Sequence, residues 1–381
     1  MGIGSETLLD AVEEIGPVIR EHAGEAEGAR RLSAPVLEAM RQAGLFRMLL
    51  PVSLGGLEVD PVTFARVAEA VARHDSAAAW TLQAGNTGAW WGARFPDEGV
   101  EEIYRDGPDA LIAAAFHPPT SGVPVDGGFR ITGRRPLAST VHDADWLVVT
   151  SVVGEGAVMA IVRADEAEVV DTWRSLGMRG TDSNDVVLEN VFVPTHRTSQ
   201  LVPSVDPGSH YGGPLYRMSA MSALHIVLAP IALAIAREAI EALRALAPSK
   251  MSLGTMKTLR DRPLAHTRLG RAEGLVRAAR ALLFATLEDS WALVQAGGRP
   301  DLEQRAGDLL AGVHAVQSSV EAVDLVYGIA GSSAIYERSP IERAFRDIQT
   351  IRHHGFAGES RFEAVGQVLL GVEPEFGLVA F

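Results

Sequence analysis

The chain has 381 residues, 47% of them hydrophobic and 22% charged, with a formal net charge of -14. That is an ordinary composition for a soluble globular protein of two or three domains, and the acidic balance argues against a nucleic-acid partner. The chain contains no cysteine, which excludes disulfides, thiolate nucleophiles and Cys-ligated zinc or iron–sulfur centres; no metal site is expected.

The first residues, Met-Gly-Ile-Gly-Ser-Glu, lack a basic stretch followed by an apolar run, so no secretory signal is expected and the location is expected to be cytoplasmic. Leu8, Val12, Ile15, Val18 and Ile19 recur at helical spacing, as do Val36, Met40, Leu45 and Phe46. Pro51 and the pair Gly55-Gly56 force a turn, and Asp60-Pro61 opens the next helix as a cap followed by proline. Residues 76–91 read as a helix of small residues ending in Trp90-Trp91. Small residues allow close approach of another backbone or of a flat ligand.

From about 111 the pattern changes to short apolar, mostly β-branched runs at 111–116, 128–132, 146–153, 157–162, 167–170 and 185–193. Asp126-Gly-Gly, Gly154-Glu-Gly and Asn184-Asp punctuate them, and this spacing predicts a compact antiparallel barrel or sandwich. Prolines at 194, 203 and 207 end it, and a loop is expected at 208–214. Helices follow near 216–246, 262–296, 302–329, 340–354 and 358–371, and the long ones predict an antiparallel bundle. The most apolar run, 222–236, is shorter than the ~20 residues of a membrane span, so no membrane partner is expected. Lys250, Lys257, Arg260 and Arg262 make a local basic patch. The fold class is therefore α+β, with a helical domain at 1–110, a β domain at 111–212 and a helical bundle at 213–381.

Three stretches could carry chemistry. In the first, Ser139 and Thr140 stand where a strand ends, so their hydroxyls can face a ligand. The second, 173–185, places Gly177, Gly180, Thr181, Ser183 and Asn184 ahead of a strand, offering N–H and O–H donors to an anion or an amide-rich ring. The third is a helix opening at Ser339-Pro340 and closing at Gly355, with His353 and His354 at its end. Arg343, Asp347, Thr350 and His354 share one face of it, and the helix dipole there favours a protonated imidazole.

The order of these pieces resembles the acyl-CoA dehydrogenase fold over nearly the whole chain. The resemblance rests on Pro51-Val-Ser-Leu-Gly-Gly56, Gly128 and Gly133 followed by Ala144-Asp-Trp146, Leu176-Gly-Met-Arg-Gly-Thr181, Phe192-Val-Pro194 and Glu342-Arg-Ala-Phe-Arg-Asp347. It implies a flavin between the central β-barrel and the C-terminal bundle. Dehydrogenases of that family carry a carboxylate base after the Arg-Asp pair. Here the segment is His353-His-Gly-Phe-Ala-Gly-Glu359, with Gly355 near the base position and Glu359 displaced from it. The alternative position near 220–226 carries no carboxylate either.

A histidine at His354 is instead similar to the two-component flavin monooxygenases of this fold, among them the oxygenase components of 4-hydroxyphenylacetate hydroxylase and dibenzothiophene monooxygenase, and the amino-sugar N-oxygenases. That resemblance implies reduced flavin delivered by a separate NAD(P)H-dependent reductase. O2 is the co-substrate, and a C4a-hydroperoxyflavin hydroxylates or N/S-oxidises a small organic substrate. It implies catalytic roles for Ser139, near flavin N5, and His354, with His353 second, and flavin contacts from Ser139, Thr140, Gly180, Thr181, Ser183 and Arg260. Asn86, Trp90, Trp91 and His117 become candidate pocket residues, because the further histidine that parts of this branch carry on the small-residue helix is missing here. The usual Arg-x-x-Phe-Gly contact to an adenine half is absent around 260–268, which favours FMN over FAD. A homotetramer or dimer is implied. Two alternatives stay open: an acyl-CoA or acyl-carrier dehydrogenase-like enzyme with a non-standard base, and a non-catalytic assembly or binding relative.

Overall fold

A computed structural model describes residues 4–200, 208–251, 254 and 256–377, with backbone alone for 220–227. The prolines at 203 and 207, part of the basic patch connection, and the side chains of 220–226 lie outside the described residues.

The N-terminal part is helical: α1 (Ser5–Ala29), α2 (Ala34–Gln42), α3 (Pro61–Ala72), α4 (Ser76–Gly92) and α5 (Asp97–Ile103). Asp60 caps α3 by accepting the Thr63 N–H at 2.9 Å, and Asp75 caps α4 by accepting the Ala78 N–H at 2.7 Å. These caps satisfy donors that a helix start leaves open. Almost every residue of α4 is buried. Its small residues serve a neighbouring backbone: a Cβ on Gly88 would stand 2.0 Å from the Ile112 carbonyl oxygen. Only glycine lets the first strand lie so close.

The central part is a seven-stranded sheet of β1 (Ile112–Val125), β2 (Gly128–Ala138), β3 (Trp146–Val153), β4 (Gly156–Arg163), β5 (Glu168–Val170), β6 (Asn184–Pro194) and β7 (Thr198–Gln200). Its order is β5-β6-β2-β1-β3-β4-β7. The pairings are antiparallel except that of β1 with β3, which is parallel with Ile112 opposite Trp146. The all-antiparallel expectation is refined accordingly. The chain leaves β2 through the turn at 139–145 and re-enters beside β1 in the same direction, which apolar runs and turn residues alone do not encode. Ala113, Ala115, Ile131, Leu147, Val149, Val162 and Leu188 form the core of the sheet.

The C-terminal part holds α6 (Ala220–Leu246), α7 (Pro263–Gln295), α8 (Leu302–Ala330), α9 (Pro340–Ile351) and α10 (Arg361–Leu369). By length and apolarity the segment Leu302–Ser333 could cross a membrane, yet 67% of its most apolar window is buried inside the protein. It is the central helix of the bundle, packed on α6, α7, α9 and α10. The predicted long helices are present, but α9 ends at Ile351, not at 354. The N–H groups of His353 and His354 turn back to the carbonyls of Thr350 and Ile351, a tighter winding that ends the helix. Both histidines therefore lie in the turn that follows.

One face of α9 ties the three parts together. Asp347 accepts from Ser76 Oγ of α4 at 2.5 Å and from the Met178 N–H of the β5–β6 loop at 2.6 Å. Thr350 Oγ1 accepts the Gly177 N–H at 3.0 Å, and Arg343 pairs with Asp75. Burial raises the carboxyl pKa values of Asp75 and Asp347, against the opposing pull of Arg343. Gly177 is required by contact: a Cβ there would lie 2.2 Å from the Arg346 carbonyl oxygen.

Candidate active site

The site forms where α4, the end of β2, the β5–β6 loop and the turn after α9 converge. Ser139 follows the last residue of β2 and is flanked by Leu137 and Thr140, whose φ angles are 62° and 63°. Left-handed backbone at two side-chain-bearing residues costs about 1–2 kcal/mol each. The surroundings compensate: the Thr140 N–H donates to the Thr181 carbonyl at 2.9 Å. Ser139 Oγ then lies 2.8 Å from Ser183 Oγ, and Ser183 Oγ lies 2.7 Å from Thr181 Oγ1. Thus Ser139, Thr140, Thr181 and Ser183, split between two sequence stretches, meet in one cluster. Gly180 is buried beside Ala77 of α4, where an added Cβ would sit 3.0 Å from the Ala77 methyl.

The two histidines part company. His354 is enclosed by protein on most sides, edge-on to Trp80 at 5.5 Å and against Phe356 at 5.4 Å. Burial pushes its pKa down to about 4. The protonated imidazole expected from the helix dipole is therefore corrected: desolvation outweighs a dipole whose helix ends before the ring. The Phe356 N–H donates to His354 Nδ1 at 3.3 Å, which leaves the ring proton on Nε2. His353 is exposed and touches none of the cluster's hydroxyls.

Trp80 is the residue that sequence reasoning missed. Its indole Nε1–H donates to Ser139 Oγ at 3.0 Å while its ring meets His354. The available signal was a single large side chain in the Ser-Ala-Ala-Ala-Trp-Thr start of α4. His142 Nδ1 contacts Asp182 Oδ1 at 2.8 Å near the surface.

Other expected residues divide differently. Asn86 is fully buried, and both ends of its amide are engaged, accepting from the Leu49 N–H at 2.9 Å and donating to the Leu45 and Leu82 carbonyls at 2.7 and 2.9 Å. It pins the segment at 45–49 and has no donor left for a ligand. Trp90 and Trp91 lie in an aromatic group with Tyr211 and Phe116, at centroid distances of 5.7 Å for Trp90–Tyr211 and Trp91–Phe116. His117 follows Phe116 on β1 and is exposed. Arg260 is exposed on the α6–α7 connection, with its backbone bonded to Ala247 and His266 and no described contact to the hydroxyl cluster.

The donor set fits a flavin ring. Thr81 Oγ1 and Thr140 Oγ1 are buried with no hydrogen-bond partner among the described residues, a costly state unless a ligand completes it. Hydroxyls and one imidazole N–H suit the polar edge of such a ring, while Trp80 and Phe356 keep the surroundings apolar. When bound, reduced flavin supplies the electrons that activate O2. Glu359, the displaced carboxylate, is exposed and cannot serve as a buried proton-abstracting base from there. Fold and site together define a flavin-dependent oxidoreductase of the acyl-CoA dehydrogenase architecture.

Comparison with known proteins agrees. Profiles of the acyl-CoA dehydrogenase N-terminal and C-terminal domains match residues 7–102 and 226–359. An indole-3-acetate monooxygenase of Pseudomonas putida is 30% identical over 380 residues, covering 98% of this chain and 95% of the relative. The flavin-dependent monooxygenase oxygenase subunit HsaA of Mycobacterium tuberculosis is 28% identical, covering 98% and 96%. The solved structure of XiaF from Streptomyces, in complex with FADH2 and glycerol, superposes with a TM-score of 0.91 at 25% identity, covering 97% and 96%. The chain belongs to the acyl-CoA dehydrogenase superfamily, in its branch of two-component flavin-dependent monooxygenases.

Proposed function

We propose that this monooxygenase inserts one oxygen atom of O2 into a small aromatic substrate, using reduced flavin delivered by a separate NAD(P)H-dependent reductase. The observation that carries the reading is that Ser139 and His354 both contact Trp80. Ser139 is the proposed hydrogen-bond partner of the flavin, with Thr140, Gly180, Thr181 and Ser183 behind it. His354 is neutral at working pH with its proton on Nε2, and so holds an oxygen atom or a substrate hydroxyl by donation rather than by charge. Its partial burial limits access of water, which would otherwise waste reduced flavin.

Aromatic substrate is favoured by the rings of Trp80, Trp90, Trp91 and Phe116 and by the relative named for indole-3-acetate. Reduced FMN is the favoured flavin because of the missing adenine-contact signature, although XiaF was solved with FADH2. Arg260 is then a proposed phosphate contact, and a homotetramer the proposed assembly, consistent with the exposed Leu264 and Leu282 on α7.

The test is anaerobic titration with reduced FMN and reduced FAD, then O2 with indole-3-acetate or simple phenols, following product by mass. One oxygen from 18O2 in the product supports the reading. Bleaching of bound oxidised flavin by an acyl thioester, without oxygenated product, would replace it with a dehydrogenase.

A further inference from the structure

The Trp80 indole donates to Ser139 Oγ at 3.0 Å, and the same ring stands edge-on to His354 at 5.5 Å. Trp80 is buried and comes from the N-terminal domain, whereas Ser139 belongs to the β domain and His354 to the turn after α9. An indole N–H can only donate. One of the two lone pairs of Ser139 Oγ is therefore permanently occupied, leaving one lone pair and one proton. Ser183 Oγ, at 2.8 Å, takes one of these. Ser183 is backed in turn by Thr181 Oγ1 at 2.7 Å, so in either direction of donation along Thr181, Ser183 and Ser139 each hydroxyl makes at least one hydrogen bond. If Ser183 donates, Ser139 presents its proton to a ligand; if Ser139 donates to Ser183, it presents its lone pair.

We infer that Trp80 is the positioning residue of this site: its N–H restricts Ser139 to a single hydrogen bond with the flavin, and its ring sets His354 relative to that bond. This rests on the proposed function. The third hydroxyl orientation, in which the Ser139 proton points at Trp80, is removed because the indole N–H can only donate. The remaining two match the two states a flavin ring nitrogen presents, an acceptor when oxidised and an N–H donor when reduced. The Ser139 hydroxyl thus follows the redox state without leaving its rotamer, and the strained backbone at Leu137 and Thr140 holds that rotamer in place.

The test is a double-mutant cycle on the full protein with Trp80→Phe and Ser139→Ala, read in two ways. One is the dissociation constant and visible spectrum of bound oxidised FMN; the other is product formed per reduced flavin consumed. Trp80→Phe removes the donor and leaves a smaller aromatic ring against His354. It is expected to weaken flavin binding and lower coupling about fivefold, the size of one hydrogen bond, with the melting temperature nearly unchanged. In the Ser139→Ala background the same substitution should have no further effect. Equal effects in both backgrounds, or none in the wild-type background, would overturn the role of Trp80. If Trp80→Phe folds poorly, benzothienylalanine at position 80 removes the N–H at constant shape and is held to the same two outcomes. Should Ser139→Ala itself leave binding and coupling unchanged, the proposed site fails, a result distinct from failure of the Trp80 role alone.

Discussion

The two ends of α4, roughly 20 Å apart at the rise of a helix, solve opposite problems. At the start, Trp80 donates into a hydroxyl line in which Ser139, Ser183 and Thr181 all have partners. At the end, Trp90 Nε1, Trp91 Nε1 and the Tyr104 hydroxyl are buried with no hydrogen-bond partner among the described residues. Arg94 there stands over aromatic faces, 5.4 Å from the Trp91 ring and 5.2 Å from that of Tyr211. The first end is held by directional bonds between three parts of the chain, the second by shape and ring packing. Directional bonds specify orientation at the first end, whereas ring packing specifies bulk at the second.

That contrast can be broken by substitution, and the greatest loss is expected where the start of α4 is tied to the rest. Gly177→Ala places a methyl against the Arg346 carbonyl. It should cost about 3 kcal/mol and lower the melting temperature sharply; an unchanged melting curve would mean that the loop and α9 are not docked closely. Protonation tests the same region. The unfolded chain protonates His354 near its ordinary pKa of about 6.5, whereas the folded chain resists until about 4. The stability concerned is present above about 6.5 and lost as pH falls towards 4, by up to about 3 kcal/mol. His354→Gln should flatten this acid arm in chemical denaturation at pH 7 and 4.5, and an identical arm in the variant would refute the burial of the ring.

His354→Ala should lower product formation about a hundredfold while reduced flavin is still consumed and the protein stays folded by circular dichroism. Unaltered coupling would remove His354 from the reaction. The smallest effect is expected at the far end of α4. Arg94→Gln loses cation–π packing worth about 1 kcal/mol, measurable as a melting shift of a few degrees, and should leave flavin affinity untouched. A loss of flavin affinity in that variant would erase the distinction between the two ends.

Much of the architecture was legible from periodicity. The cap Asp60, the apolar stripes and the β-branched runs act locally, so helices and strands can be placed without knowing their neighbours. The end of α9 was misplaced because a glycine at 355 looks like a terminator, whereas the chain tightened its last turn earlier. Asn86 looked like a pocket residue because it stands on the small-residue helix where related proteins carry a further histidine; its partners are backbone groups, two of them distant in sequence. Trp80 escaped notice because a tryptophan on a buried helix has no local mark separating packing from function.

The sequence by itself determined the three-part order, the absence of a carboxylate near Gly355 and the presence of two histidines just before it, since each is written in residue identity or spacing. Only the tertiary structure decided which of two adjacent histidines is enclosed and neutral and which is exposed. It also decided that Ser139 and His354 share one tryptophan. Burial and indole-to-hydroxyl geometry arise from segments that meet only when the three parts are packed, and the desolvation that lowers the pKa of His354 exists only in that packed state.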